Sequence, residues 1–138
     1  MISNEDTSVF AYTIVFDGGA IGNPGKGYGS FVVKNANGIF GRKRIEFGDR
    51  ITNNQAEYRT LIDALHWLMK FAGDDAKDLT IRIRGDSALV INQLAGSWKA
   101  RHRDLVPLFN EASSLIAQFG RVTLEWQPRA ESFQVLGH

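Results

Sequence analysis

Val15-Phe16-Asp17-Gly18-Gly19-Ala20-Ile21-Gly22-Asn23-Pro24-Gly25 is the stretch whose reading decides the fold. It lies within Phe10 to Gly29, where an apolar run meets an aspartate and then a glycine-rich segment. The apolar residues read as a strand over Phe10 to Asp17, with Asp17 at its exposed end. Tyr12, Ile14 and Phe16 alternate there against Thr13, Val15 and Asp17. Gly18, Gly19 and Gly22 then read as a turn whose backbone can approach a ligand closely. A carboxylate beside accessible N–H groups suits a metal ion and a phosphate together. The stretch is not a P-loop. Gly25-Lys26 is followed by Gly27, and Ala20 stands where the first P-loop glycine belongs.

Working outward, Tyr28 to Lys34 reads as a second strand and Ile39 to Phe47 as a third. Asn35-Ala36-Asn37-Gly38 is the hairpin turn between them, and Asn-Gly is its strongest signal. The period then changes. Tyr58, Leu61, Ile62, Leu65, Leu68 and Met69 follow helical spacing, with Thr52 or Asn53 as the N-cap and Gly73 at the end. Leu79, Ile81 and Ile83 alternate with Thr80, Arg82 and Arg84 in a fourth strand that stops at Gly85-Asp86. Ser87 to Leu94 reads as a short helix, and Leu105 to Phe119 as another that admits Pro107 in its first turn. Val122 to Trp126 is the fifth strand. Residues 1–8 read as a loose tail. Residues 127–138 carry no decisive signal beyond room for a short last helix.

The expected fold is therefore α/β, a single domain over residues 1–138. An antiparallel meander of three strands is followed by two parallel strands in a five-stranded mixed sheet flanked by helices. In such sheets ligands gather at the carboxyl ends of the parallel strands. Asp17 and Asp86 both end strands, and Glu57 reads as lying in the first turn of the long helix. If the first and fourth strands are neighbours, the three acids meet. Converging carboxylates repel one another unless a cation neutralises them. Magnesium or manganese fits an all-oxygen set. Taken singly, each acid has a plainer role as a turn, cap or helix-dipole residue.

Composition limits the alternatives. Hydrophobic residues make up 43% of the chain and charged residues 22%, ordinary values for a globular protein. No apolar run is long enough to span a bilayer, and the polar N-terminus does not read as a secretory signal. Without cysteine there is no disulfide or thiolate chemistry. A net charge of +1 gives no general pull on nucleic acid, so any such binding needs a local patch. A cytoplasmic monomer is the expectation.

Three segments in order, Asp17-Gly18-Gly19-Ala20-Ile21-Gly22-Asn23-Pro24-Gly25, Thr52-Asn53-Asn54-Gln55-Ala56-Glu57 and Gly85-Asp86-Ser87, resemble the ribonuclease HI family. The likeness covers roughly Tyr12 to Arg129. It implies a ribonuclease H-like fold and an endonuclease that cuts the RNA strand of an RNA/DNA hybrid. It further implies Asp17, Glu57 and Asp86 as ligands of two Mg2+ (or Mn2+) ions. One ion would activate the attacking water and the other would stabilise the leaving 3′ oxygen, giving a product with a 5′ phosphate. By the same likeness, Asn23, Asn53, Asn54 and Gln55 contact substrate, and the backbone at Gly18, Gly19 and Ala20 touches the RNA strand. Arg50 and Thr52, with Asn23, match a pocket for a DNA-strand phosphate. Arg129 falls where relatives carry a mobile His or Arg thought to aid reaction or product release; a phosphate-facing structural arginine is the alternative.

Two departures from the family pattern stand out. A common family ending reads Trp-x-Pro-Arg-x-x-Asn-x-x-Ala-Asp. Here Trp126 to Leu136 places Leu136 at the acidic position and Ser132 at the Asn, so the fourth ligand is missing. Glu131, His138 and the terminal carboxylate are the candidate substitutes. The second departure is Gly96 to Arg103, which leads directly into the next helix, as in compact members lacking a basic protrusion. Trp98 and Lys99, with Arg101 and Arg103, are candidate contacts to the hybrid; the alternative is a solvated loop with Trp98 covering the core. Arg42-Lys43-Arg44 reads as protection of a sheet edge. Trp67 and Trp126 read as core, His66 as packing or surface, and His102 as lacking a partner that would make it a base. The competing functions are a hybrid-binding module with little catalysis, motivated by Leu136, and another nuclease of the same fold. Asn53-Asn54-Gln55 argues against the latter.

Overall fold

The computed structural model describes residues 10–137. The expected tail over residues 1–8 and the possible role of His138 lie outside the described residues. The element order is β1 (Tyr12–Ile21), β2 (Gly25–Asn35), β3 (Gly38–Ile51), α1 (Asn53–Ala72), a 3-10 turn (Gly73–Asp78), β4 (Thr80–Gly85), α2 (Ala88–Leu94), α3 (Val106–Ile116), β5 (Arg121–Trp126) and α4 (Arg129–Leu136). The sheet has five strands in the order β3-β2-β1-β4-β5. β1 to β3 are antiparallel, and β4 runs parallel to both β1 and β5. This is the expected mixed sheet, with β1 and β4 side by side.

Successive strand residues point to opposite faces, and both faces of β1 are used. Ile14 and Phe16 join Phe31, Val33, Ile81 and Ile83 in a core covered by α1, α2 and α3. Val15 and Val32 face the other way and pack under Leu136 and Val135 of α4. α1 stays helical for 20 residues because its apolar positions recur on one face and both ends are capped. The Thr52 hydroxyl accepts from the Gln55 N–H at 3.1 Å, and Gln55 Oε1 accepts from the Thr52 N–H at 2.9 Å. That reciprocal pair is a capping box. Buried Tyr58 donates to Gln93 Oε1 and ties α1 to α2. No described helix is long and apolar enough to cross a membrane.

Four sequence expectations need correction. β1 does not end at Asp17: it continues to Ile21, because Gly18, Gly19 and Ala20 remain paired with Gly29, Tyr28 and Gly27 of β2. Only the parallel pairing stops there, at Phe16 opposite Gly85. β3 runs past Phe47 to Ile51, bending where Gly48 and Arg50 take positive φ of 87° and 63°. Trp126 is not core: it is 53% exposed. Arg42 and Arg44 are more than edge protection. Arg42 Nη1 donates to the Leu136 carbonyl at 2.9 Å, and Arg44 Nη2 approaches that of Gly137 at 3.5 Å. They serve the carbonyl end of α4, where cations complement the helix dipole.

Candidate active site

The three acids come from three elements and meet at one end of the sheet. Asp17 sits on β1 just beyond its last parallel pair, Glu57 in the second turn of α1 rather than the expected first, because the helix already starts at Asn53, and Asp86 directly after β4. One carboxylate oxygen from each lies within 4.8 Å of the others, the one such acidic group found among the described residues. Asp17 is 5% exposed and Glu57 7%; Asp86 is half-buried. Asp17 is thus sunk into the fold rather than standing at an exposed strand end.

Gly18 makes this convergence possible. A Cβ there would lie 2.6 Å from the carbonyl carbon and oxygen of Ala56. The glycine therefore lets the backbone of α1 close on β1, a nearer partner than the ligand expected from sequence. Across this gap the Gly18 N–H donates to Glu57 Oε1 at 2.8 Å. Glu57 Oε2 is buried with no donor from the protein. Burial, then the charge of Asp17, drive the Glu57 carboxyl well above its usual range, and Asp86 adds to the rise. The Gly18 N–H works in the opposite direction, and a bond to Asp17 forms when one of the two carries the proton. Clustered buried carboxylates with an unsatisfied oxygen fit a divalent cation, which takes oxygen ligands and removes their repulsion.

The asparagines hold this end together. Asn53 Oδ1 accepts from the Ala20 N–H at 2.8 Å, and the Asn53 N–H donates to Asn23 Oδ1 at 3.0 Å. A cavity of about 230 Å³ is lined by Gly18, Gly19, Tyr28, Asn53, Asn54, Glu57, Asp86, Ser87 and Arg129. Arg129 Nε meets Asp86 Oδ2 at 3.2 Å. A second cavity, about 250 Å³, is lined by Asn23, Thr52, Asn54, His102, Asp104 and Leu105. Of the residues matched to a phosphate pocket, Asn23 and Thr52 line it, whereas Arg50 does not. Gln55 lines neither cavity, and its side chain is committed to the α1 cap. Trp98 and Lys99 are exposed on the connection after α2 and line neither cavity; Trp98 does not cover the core.

Leu136, which the sequence sets against the acidic position of the family ending, is 1% exposed and lies in the apolar cluster with Val15 and Val32. Ser132 is buried and accepts from Gln127 Nε2 at 3.0 Å. Glu131 is exposed and does not join the acidic group. Sequence reasoning missed three contributors. Tyr28 lies across its partner Gly19, whose Cβ would come 2.7 Å from the Tyr28 hydroxyl. The Trp126 indole donates to the Asp86 carbonyl at 3.1 Å. His102 Nδ1 accepts from the Asp104 N–H at 3.1 Å, so the neutral ring carries its proton on Nε2. The alternation of β5 misleads at Trp126, which falls in phase with the core-packed Val122 and Leu124, and no sequence pattern signals the other two.

Comparison with known proteins identifies the family. A family model described as reverse transcriptase-like matches residues 15–133. The bifunctional protein Rv2228c of Mycobacterium tuberculosis is 41% identical over 118 residues, covering 84% of this chain and 31% of that protein. Ribonuclease HI of Halobacterium salinarum is 37% identical over 115 residues, covering 83% of this chain and 55% of that one. The chain thus spans about a third to a half of these curated relatives. The solved N-terminal RNase H domain of Rv2228c superposes with a TM-score of 0.82 at 36% identity, covering 91% of this chain and 88% of that one. LC11-RNase H1, solved in complex with an RNA/DNA hybrid, gives a TM-score of 0.82 at 28% identity, with 90% of each chain covered. A family model matched along nearly the whole length and a close superposition on solved RNase H domains at 35–36% identity lead to one assignment: the chain belongs to the ribonuclease H type 1 family.

Proposed function

We propose that this chain hydrolyses the RNA strand of RNA/DNA hybrids, using two Mg2+ or Mn2+ ions held by Asp17, Glu57 and Asp86. The observation that carries the reading is the closeness of those carboxylates, within 4.8 Å, with Glu57 and Asp86 lining an open polar cavity and Asp17 buried behind them. Family membership and the hybrid bound to LC11-RNase H1 support the substrate class. Bound there, the ions supply an activated water and neutralise charge at the scissile phosphate.

The chain's own residues do the rest. The Gly18 N–H fixes the orientation of Glu57. The bonds from Ala20 to Asn53 and from Asn53 to Asn23 hold the β1 turn against the start of α1, so the backbone of Gly18 to Ala20 forms a fixed ledge for the RNA strand. Asn53 and Asn54 line the cavity and offer amide groups that can read a 2′-hydroxyl, the group that separates RNA from DNA. The second cavity, with Asn23, Thr52, Asn54 and the Nε2–H of His102, takes a phosphate of the DNA strand.

The test is a strand-labelled hybrid incubated with Mg2+ or Mn2+. The wild-type chain should cut the RNA strand alone, and Asp17→Asn should lower the rate by roughly a hundredfold or more, since even residues that merely orient metal ligands are worth 10–100-fold. Undiminished cutting by the variant, or equal cutting of duplex DNA, would sink the proposal. The second reading is a hybrid-binding module with weak or no catalysis. Leu136 favours it, because the described cluster keeps only three acids. That reading expects hybrid binding with no cleavage at any metal concentration.

A further inference from the structure

We infer that Arg129 is a tethered counter-ion for Asp86, one that competes with divalent ions until an RNA phosphate draws it away. The inference rests on the ion site proposed above and adds a coupling between ion loading and substrate capture.

The contact is lopsided. The Asp86 side chain is 12% exposed and that of Arg129 67%, yet the guanidinium Nε sits 3.2 Å from Asp86 Oδ2. The buried partner stays fixed while the exposed one can leave. Asp86 is pinned on its other side, because the Trp126 indole holds its carbonyl. Arg129 has a shelf of its own: the guanidinium carbon lies 5.2 Å from the ring centroid of Phe133, one turn further along α4. The helix beneath is anchored by Leu136 in the apolar cluster and by Arg42 at its carbonyl end. α4 therefore delivers a cation to the carboxylates from a fixed base.

Electrostatics sets the direction of the effect. The guanidinium lies 3.2 Å from Asp86 Oδ2, beside a carboxylate whose neighbours Asp17 and Glu57 lie within 4.8 Å. A divalent ion bound to the same carboxylates would face this positive charge at short range, and the two cations would repel. A phosphate oxygen offers the guanidinium fork a better partner, since Arg–phosphate contacts are charge-assisted and often bidentate. An incoming RNA strand would thus release Asp86 and tighten ion binding at once. The contact uses only Nε of the fork, which leaves the terminal amino groups to meet a phosphate first.

The experiment is calorimetric titration of Mn2+ into the whole chain without nucleic acid, so that no turnover is read. Arg129→Gln should bind Mn2+ roughly three- to tenfold more tightly than wild type, somewhat above the range of an exposed ion pair because three acids share the field. Phe133→Leu, which removes the shelf and leaves the charge, should fall between the two. In steady state Arg129→Gln should raise KM for the hybrid. Equal or weaker Mn2+ binding by Arg129→Gln would overturn this inference alone. Failure of wild type and variant alike to bind Mn2+ would overturn the ion site itself, and this inference with it.

Discussion

At Gly18 a single methyl group would be enough to push apart the two halves of the site. Its Cβ would strike the Ala56 carbonyl, a backbone atom that cannot swing aside. The bond from its N–H to Glu57 would go with it. Glu57 shows what the site asks of one residue. Its charge is disfavoured by burial and by Asp17, yet the proposed ion site requires it as a carboxylate. Glu57→Gln separates the two demands. The amide keeps an acceptor for the Gly18 N–H and removes the unfavourable charge. At neutral pH and without divalent ions the variant should melt about 2–5 °C higher than wild type, the span expected for a gain near 1 kcal/mol in a domain of this size. Hybrid cleavage should meanwhile fall by roughly a hundredfold or more. A lower melting point would show that Glu57 is a stabilising contact rather than a residue kept at some expense for function.

Among the elements, α4 fills the room the sequence leaves for a short last helix, but its packing is the least legible of all. Its register was legible as far as Arg129, because Trp126, Pro128 and Arg129 match the family's ending. Beyond that, Leu136 stood at the position of an acid, and nothing local said which face of the sheet it would meet. The structure places it against Val15 and Val32. Restoring the family's aspartate should therefore fail. Leu136→Asp would bury an unpaired charge and lower stability by about 3–5 kcal/mol, with no gain in Mn2+ affinity or cleavage. A stable variant with tighter Mn2+ binding, seen by chemical denaturation and calorimetry, would mean that α4 can turn its last residues toward the acids. The elements read well from sequence were those with a strong local period: α1, with its capping box, and the alternating β4. β1 extends beyond its apparent end because consecutive glycines mimic a turn in sequence while pairing as a strand. Their pairing with β2 is a contact between segments, invisible in a single window. The same holds for Arg42 and Arg44, whose partners on α4 lie more than ninety positions away.

At the scale of the molecule, the sheet order puts β1 at the centre, between a meander and a parallel pair. The three acids span residues 17 to 86, so the site exists only when both halves are folded. Its charge is therefore coupled to the stability of the whole. With Glu57 raised above its unfolded value, its contribution to stability is fully present below the ordinary glutamate range, about pH 4.3. It is lost as pH rises through the folded value. Divalent ions should reverse this, because they bind the ionised form and compete with the proton. Saturating Mn2+ should raise the melting temperature by several degrees at pH 8, where a ligand at a hundred times its dissociation constant contributes about 2.7 kcal/mol. At pH 5 the increase should be much smaller. Equal increments at the two values would show that the ions bind somewhere other than these carboxylates.

Trp126 has one more use. Its indole is open to water on one side and hydrogen-bonded to the Asp86 backbone on the other. The chain thereby carries its own fluorophore at the rim of the site. The part of the emission that Trp126→Phe removes is placed to register whatever settles on Asp86, without a label and in real time.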